Sequence, residues 1–356
     1  MAAAVTVEVW TAENTTPADI DAALRKLLEE QHVRGEGLAP ARVLNMVTVV
    51  DASWRGEILN RLERVGRYHP SRTILCAVED GRETIDASAR LSADGTGDPN
   101  LISVVEERVD IRMGQAHLRR LDAIVDPLIL SDLTTVVWAP HGHHEAIEAM
   151  RGLADVVLLD ASDDPNPARA IQWVCGLQDH AYVVDLAWLR GTPWRERIAA
   201  TFDPPEWRPA LRQISKVVVR HRPDSIVSGV LMLGWLSSRL GWSPGSLVEG
   251  DSGRRRGRAR AGKTEVALEL DPVHDLGAPG LGGITLETAD GSKLSLDRSE
   301  GGLAAKRHTR DGRESSWVVL GASRGEAGIL GEGIRQALLR DPTYGPAVRC
   351  AGAMLS

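Results

Sequence analysis

The chain has 356 residues, of which 43% are hydrophobic, and it carries a formal net charge of −7. This length favours two domains, and the acidic balance argues against a nucleic-acid partner, whose phosphates attract an excess of Lys and Arg. The three cysteines form no CxxC pair and suit a reducing cytosol. The N-terminus lacks a signal-peptide pattern, and the most apolar helix candidate, 226–236, is shorter than the roughly 20 residues of a membrane span. We therefore expect a cytoplasmic protein with neither a nucleic-acid nor a membrane partner.

The first half of the chain alternates predicted strands with predicted helices. Near-continuous apolar runs indicate buried strands, and apolar residues at helical spacing indicate the helices between them. We expect strands at 43–50, 73–78, 133–138 and 155–160, helices at 54–65, 115–125, 143–151 and 166–177, and an antiparallel pair of strands near 84–91 and 102–111. This order predicts an α/β N-terminal domain with a mostly parallel sheet, over residues 1–178.

The second half, residues 179–356, is predicted to be an α+β C-terminal domain. A strand at 213–219 and an apolar helix at 225–240 precede an antiparallel meander whose turns carry Gly and Asp. The meander strands are expected at 264–271, 283–289, 293–298, 303–309 and 315–320, followed by a helix at about 327–340 and a short tail. The basic run from 254 to 260 is expected to be a mobile, solvated hairpin loop that can be deleted without loss.

The second domain begins with DLAWLRGTPWRERIAATF, residues 185–202. Thr192 is expected to cap a helix and Pro193 to occupy its first position, where no N–H donor is needed. Trp194 recurs with two apolar residues at a spacing of four and is predicted to face the core. Arg195 lies about 100° round the helix and is expected to be freer to reach a partner.

Two interpretations of this Trp/Arg-rich stretch remain open. The indoles are core residues with solvated arginines beside them, or they anchor a protein interface, where Trp and Arg are frequent hot spots. Under the second interpretation the partner-binding residues are Trp188, Arg190, Trp194 and Arg195.

Three loops of the first half are candidates for ligand chemistry. Ser71 and Arg72, after His69 and Pro70, suit an anion, although pairing of Arg72 with a carboxylate is the favoured alternative. The loop 141–145, HGHHE, offers metal ligands but is more simply a turn into a helix. The acidic loop 160–164 suits a hydrated cation or, more simply, helix capping. A shared position at one sheet edge would favour a sugar-phosphate-binding enzyme or sensor.

We expect no catalytic motif in the chain. No dinucleotide fingerprint, P-loop, GxSxG elbow or zinc spacing is anticipated. The predictions accordingly include no catalytic residue, no metal and no cofactor.

Several stretches together resemble the glucose-6-phosphate dehydrogenase assembly protein family (OpcA). The specific one is Asp-Leu-Ala-Trp-x-Arg-x-Thr-Pro-Trp-Arg-Glu at 185–196, and weaker matches are HPSR at 69–72, SDL at 131–133 running into VVW at 136–138, 155–162 and LLxDxxY at 338–344. The resemblance implies a non-catalytic protein that binds glucose-6-phosphate dehydrogenase and promotes its active oligomer in the oxidative pentose phosphate pathway. The Trp/Arg-rich stretch is then expected to form or directly support the binding surface.

Overall fold

A computed structural model describes residues 6–33, 42–66, 70–93, 105–320 and 325–356. The chain divides into two compact units. The first unit contains Met1–Leu159, His180–Val184 and Leu330–Leu339, and the second contains Asp160–Asp179, Asp185–Ile329 and Arg340–Ser356. The domain boundary expected at residue 178 stays a prediction.

The first unit is built on an eight-stranded, mostly parallel sheet, here called sheet A. Its strands are β1 (Thr6–Ala12), β2 (Leu44–Asp51), β3 (Ser71–Val78), β4 (Asp86–Ala93), β5 (Val105–Met113), β6 (Thr134–Trp138), β7 (Val156–Leu159) and β8 (Tyr182–Asp185). Their order is β1-β4-β5-β3-β2-β6-β7-β8. Strands β5, β3, β2, β6 and β7 pair in parallel, while β4 pairs antiparallel with both β1 and β5. The predicted α/β class and the antiparallel pair are confirmed.

Strand burial and helix positions agree with the apolar patterns of the sequence. Strands β2 and β3 are buried over nearly their whole length, as expected for parallel strands covered on both faces. The helices of this unit that precede β7 are α1 (Pro17–Val33), α2 (Arg55–Gly66), α3 (Leu121–Val125) and α4 (His144–Ala149). The single helix predicted over 115–125 is instead a 3₁₀ turn at Gln115–Arg120 followed by α3.

The second unit contains a nine-stranded sheet, here called sheet B. Its strands are β9 (Ile214–His221), β10 (Ser243–Pro244), β11 (Val248–Glu249), β12 (Arg255–Ala261), β13 (Thr264–Pro272), β14 (Leu281–Thr288), β15 (Lys293–Ser299), β16 (Gly302–His308) and β17 (Glu314–Leu320). The order β10-β12-β13-β9-β14-β15-β16-β17, with β11 beside β12, confirms an antiparallel-rich α+β arrangement. The meander is interrupted, however, because β9 lies between β13 and β14 and runs parallel to β13.

The remaining helices include one at Tyr344–Leu355, where only a short tail was predicted. They are α5 (Pro167–Leu177), α6 (Leu186–Arg190), α7 (Thr192–Phe202), α8 (Ile226–Leu240), α9 (Gly325–Leu339) and α10 (Tyr344–Leu355). Helix α10 packs closely on α8, since a Cβ at Gly234 would lie only 2.3 Å from the carbonyl oxygen of Ala347. Within the described ranges, no helix is long and apolar enough to cross a membrane.

The basic run is not a mobile loop, so that expectation is wrong. Residues 255–261 form β12, which pairs along its whole length with β13. On its other side β12 pairs with β10 and β11. Gly257 permits this arrangement, because a Cβ there would lie 2.7 Å from the carbonyl oxygen of Ser246. Along β12 the exposed arginines alternate with buried or half-buried positions. The glycines within and beside the run are what make the sequence resemble a solvated loop.

Candidate functional site

The Trp/Arg-rich stretch forms two consecutive helices, and Asp185 organises the first. Its Oδ1 accepts hydrogen bonds from the backbone N–H groups of Ala187 (2.9 Å) and Ala161 (3.0 Å). Its Oδ2 accepts a hydrogen bond from the hydroxyl of Tyr344 at 2.9 Å, joining α6 to the start of α10. Asp185 is therefore the N-cap of α6. It is also buried, at 1% exposure, and its carboxylate links α6 to Ala161 and to Tyr344.

Trp188 is the centre of a cluster, here called the Trp188 cluster, that also contains Asp185, Arg195, Asp341 and Tyr344. Its indole Nε1–H donates to Asp341 Oδ2 at 2.8 Å, and its ring packs against Tyr344 with centroids 5.3 Å apart. Asp341 Oδ1 also accepts from the backbone N–H and the hydroxyl of Thr343. Trp188 is 2% exposed, so it is a core residue of the second unit with its polar edge satisfied.

Arg195 lies on the same tryptophan and is buried. Its guanidinium carbon is 3.4 Å from the Trp188 ring centroid, a cation–π contact. Its Nη1 donates to the Trp188 carbonyl oxygen at 2.8 Å and its Nη2 to Thr192 Oγ1 at 2.9 Å. Burial lowers the pKa of Arg195 to about 9, although the charges of Asp341, Glu196 and Asp185 oppose that shift.

The geometry expected for Arg195 is therefore wrong. The residue is only 9% exposed, because the helix turn that separates it from Trp194 points it at Trp188 instead of at solvent. An Arg195→Ala variant is consequently expected to lower the melting temperature, and not to leave it unchanged. Thr192 does not cap α7 either, because it is the first helical residue. Its hydroxyl oxygen instead accepts a hydrogen bond from Arg195 Nη2. Trp194, at 4% exposure, is a core residue as predicted.

Arg190 and Asp160 form an ion pair at the edge of this cluster. Arg190 Nη1 donates to Asp160 Oδ2, and the arginine side chain is 24% exposed. Asp160 Oδ1 accepts a hydrogen bond from the backbone N–H of Ser162. Both carboxylate oxygens of Asp160 therefore have protein partners, at the position where a hydrated cation was considered. Asn166, a neighbour of Asp164, caps α5 by accepting from the N–H of Arg169, in agreement with the capping alternative.

Arg72 pairs with a carboxylate, the alternative favoured from the sequence. Its Nε donates to Glu107 Oε2 at 2.8 Å and its Nη1 to the carbonyl oxygen of Leu128 at 2.9 Å. Glu107 is fully buried and also binds Arg42. Ser71 Oγ lies 3.1 Å from Thr73 Oγ1, and His69 is outside the described residues. These contacts leave anion binding by Ser71 and Arg72 without structural support.

The loops behind the sugar-phosphate hypothesis do not share one sheet edge. Arg72 lies near the amino end of β3, whereas the loop 141–145 follows the carboxyl end of β6. Since β3, β2 and β6 are parallel and in register, these two positions are at opposite edges. Across the described ranges, no three His, Cys, Asp or Glu side chains are grouped to hold a metal ion.

Two family models match most of the chain. The N-terminal domain model of the glucose-6-phosphate dehydrogenase subunit, OpcA, matches residues 62–175, and the corresponding C-terminal domain model matches residues 181–348. The chain belongs to the OpcA family. In this OpcA-family chain, the C-terminal domain model covers every residue of the Trp188 cluster.

Curated relatives carry the same name. The OxPP cycle protein OpcA of Synechococcus elongatus is 27% identical over 195 residues, which cover 53% of this chain and 43% of that protein. The OxPP cycle protein OpcA of a Synechocystis species is 26% identical over 241 residues, covering 66% of this chain and 50% of that protein. The chain thus spans about half the length of the relatives it matches.

A solved structure described as the oxidoreductase yvaA from Bacillus subtilis is 11% identical to this OpcA-family chain, with a TM-score of 0.47. The alignment covers 87% of this chain and 95% of that one. No conclusion follows from a likeness at that score.

One stretch of this OpcA-family chain matches the P-loop pattern, which the sequence analysis did not anticipate. Residues 257–264 read GRARAGKT, a full GxxxxGK[ST] match. A P-loop needs a strand, a glycine-rich loop and a helix whose N-terminus holds the phosphates. Here the stretch is β12, a turn at Gly262 and Lys263, and the start of β13, with Ala261 opposite Thr264. Its backbone groups pair across a hairpin, so the match has no phosphate-binding geometry.

Two further stretches match GxSxG, again against expectation. In the first, GWSPG at 241–245, Gly241 ends α8 with φ 69° and Ser243 begins β10. A nucleophile elbow requires the reverse order, a strand turning into a helix. In the second, GASRG at 321–325, the first four residues lie outside the described ranges.

Asp185 is expected to give the protein a specific pH dependence. Burial, reinforced by the charge of Asp160, raises its pKa to about 7 against the lowering effect of its three hydrogen-bond donors. The folded protein therefore keeps a proton that the unfolded chain releases near the ordinary pKa of 3.8. The stability from this group is complete below about pH 4, falls as the pH rises to about 7, and is then constant.

Comparison of urea unfolding for the wild type and Asp185→Asn, from about pH 5 to about pH 8, tests this dependence. The wild type is expected to lose stability relative to the variant by on the order of a few kcal/mol as the pH rises. Asp251→Asn, at an exposed position, is the control and should follow the wild-type curve. A pH-independent difference between wild type and Asp185→Asn would contradict the assignment.

Proposed function

We propose that this protein binds glucose-6-phosphate dehydrogenase and promotes its assembly into an active oligomer, at the start of the oxidative pentose phosphate pathway. The observation that carries the proposal is the match of both glucose-6-phosphate dehydrogenase subunit models, at 62–175 and 181–348. In this role the protein is non-catalytic and acts as an allosteric activator of its partner.

The contacts of the Trp188 cluster suggest how it serves such a partner. Trp188, Trp194 and Arg195 are buried in the second unit, and the side chains of Trp188 and Arg195 are also hydrogen-bonded there. Such residues suit a role in keeping a nearby surface rigid. We assign them this supporting role. Arg190, with 24% of its side chain exposed, is the member of the predicted set best able to touch a partner directly.

The exposed face of α7 is the proposed contact surface. Pro193, Glu196, Ala199, Ala200 and Asp203 are exposed and recur at spacings of three and four, so they share one side of the helix. The buried side of the same helix rests on the core through Trp194. A helix fixed in this way presents a rigid face, which reduces the entropy lost on binding.

Charge reversal on this face tests both the partner and the surface. Purified wild-type protein is expected to capture glucose-6-phosphate dehydrogenase at low salt and to raise its rate of NADP reduction. Glu196→Lys combined with Ala200→Lys should weaken capture by at least tenfold and abolish activation, while the melting temperature stays unchanged. Glu314→Lys on β17, whose side chain is 81% exposed, is the matched control.

The outcomes separate the two levels of the proposal. No capture by the wild type would contradict the function itself. Capture and activation that are identical for the wild type and the α7 variant would retain the function and reject the α7 face as the contact.

A further inference from the structure

The parallel strands of sheet A change direction between β2 and β6. From β2 the chain proceeds to β3 and then β5 on one side, and it returns to β6 and β7 on the other side. Loops that leave two such neighbouring strands diverge, and they leave a crevice at the carboxyl edge of the sheet. In open α/β sheets this topological switch point is the usual ligand site. The residues that follow β2 and β6 are therefore candidate ligand contacts.

Two side-chain contacts join the loops at this switch point. Trp54, three residues after β2 ends, stacks on His141 with ring centroids 4.9 Å apart and an interplanar angle of 26°. His143 Nε2 lies 2.9 Å from Asp51 Oδ1. The imidazole of His143 is 8% exposed, whereas Trp54 and the Asp51 side chain are 44% and 50% exposed. The exposed indole and the exposed carboxylate thus form a layer: His143 backs the carboxylate, and His141, itself an exposed residue, stacks on the indole.

The loop that carries the histidines is held in an unusual conformation. His141, Gly142 and His143 have φ values of 67°, 116° and 55°, so two non-glycine residues adopt the left-handed region. Such backbone persists only where the surroundings impose it, and it is found preferentially at binding and catalytic sites. Here the stack on Trp54 and the hydrogen bond to Asp51 impose it.

The chemistry of this layer disfavours a phosphate and favours a hydroxylated ring. A dinucleotide site has glycines after the first strand so that the backbone approaches the pyrophosphate, but this connection reads Asp-Ala-Ser-Trp. The Asp51 carboxylate would repel an anion, and Arg55 lies 3.1 Å from Asp110, paired with it. An indole face suits the flat face of a ring, and a carboxylate accepts hydrogen bonds from hydroxyl groups.

We propose that Trp54 and Asp51, backed by His141 and His143, form a binding site for an uncharged hydroxylated ring. The ring is the sugar of a nucleoside or a free hexose, and both present adjacent hydroxyl groups to Asp51 while a ring face covers Trp54. All four residues belong to the first unit, and the proposal does not depend on the proposed partner.

Isothermal titration of the full-length protein with adenosine and with glucose tests the site and distinguishes the two sources. One of the two probes is expected to bind, and Trp54→Ala and Asp51→Asn should each weaken that binding at least tenfold without altering the melting temperature. Trp317→Ala, at a half-buried tryptophan of β17, should bind like the wild type. AMP and glucose 6-phosphate should bind no more tightly than their uncharged counterparts.

Three results would overturn the proposal. They are the absence of heat from both probes at millimolar concentration, equal affinity of the wild type and Trp54→Ala, and tighter binding of the phosphorylated probes. Because Trp54 and Asp51 are half exposed, both variants are expected to fold, and a circular dichroism spectrum like that of the wild type confirms that a loss of binding is local.

Discussion

Trp188→Ala is expected to lower the free energy of unfolding by about 3–5 kcal/mol, the range for removing a large buried aromatic side chain. The loss has three sources in this structure. A cavity replaces a ring that is 2% exposed, Asp341 loses its indole donor, and the Arg195 guanidinium loses the ring beneath it. Loss of that ring removes one of the favourable contacts that offset the desolvation of this buried guanidinium.

Trp188→Phe keeps an aromatic ring under Arg195. It removes the donor to Asp341 and leaves a smaller cavity than alanine does, so we expect a smaller loss of about 1–2 kcal/mol. Trp54→Ala, at a position 44% exposed, is the matched control and should change stability little. Urea unfolding followed by circular dichroism measures all three variants. A loss below about 1 kcal/mol for Trp188→Ala would show that the cluster is not part of the core.

Deletion of residues 252–261 is expected to abolish folding of the second unit. The deletion removes β12, which is hydrogen-bonded on one side to β13 and on the other to β10 and β11. It also removes Ala259, which is 1% exposed, and uncovers the long edge of β13. Each lost backbone hydrogen bond costs about 0.5–1.5 kcal/mol, and the total rivals the roughly 5–15 kcal/mol that stabilises a domain.

The matched variant keeps the strand and changes only its charges. Arg256→Gln, Arg258→Gln and Arg260→Gln together should leave the melting temperature within a few degrees, because exposed ion pairs contribute little. Arg258, for example, pairs with Glu265 although both side chains are well exposed. Both variants are compared with the wild type by expression yield and by thermal unfolding. A soluble deletion variant with an unchanged melting temperature would show that β12 is dispensable after all.

These two expectations mark where local patterns sufficed and where they failed. The position of α7 and the core position of Trp194 follow from spacing, which depends only on neighbouring residues. The burial of Arg195 does not, since it depends on the Trp188 ring and carbonyl oxygen that a different helix supplies. The arginines of β12 likewise resemble a solvated loop until the carboxylates of β13 are placed opposite them.

The sequence by itself determined the alternation of strands and helices in the first half, the parallel character of sheet A and membership of the OpcA family. These features follow from apolar periodicity and from short motifs, whose residues lie within a few positions of one another in the sequence. Only the tertiary structure decided that Asp185 joins Tyr344, 159 residues away, and that β9 separates β13 from β14. It alone decided that Trp54 and His141 meet at the switch point of sheet A. Such contacts join segments far apart in the chain, and local propensity carries no information about which distant segment will supply the partner.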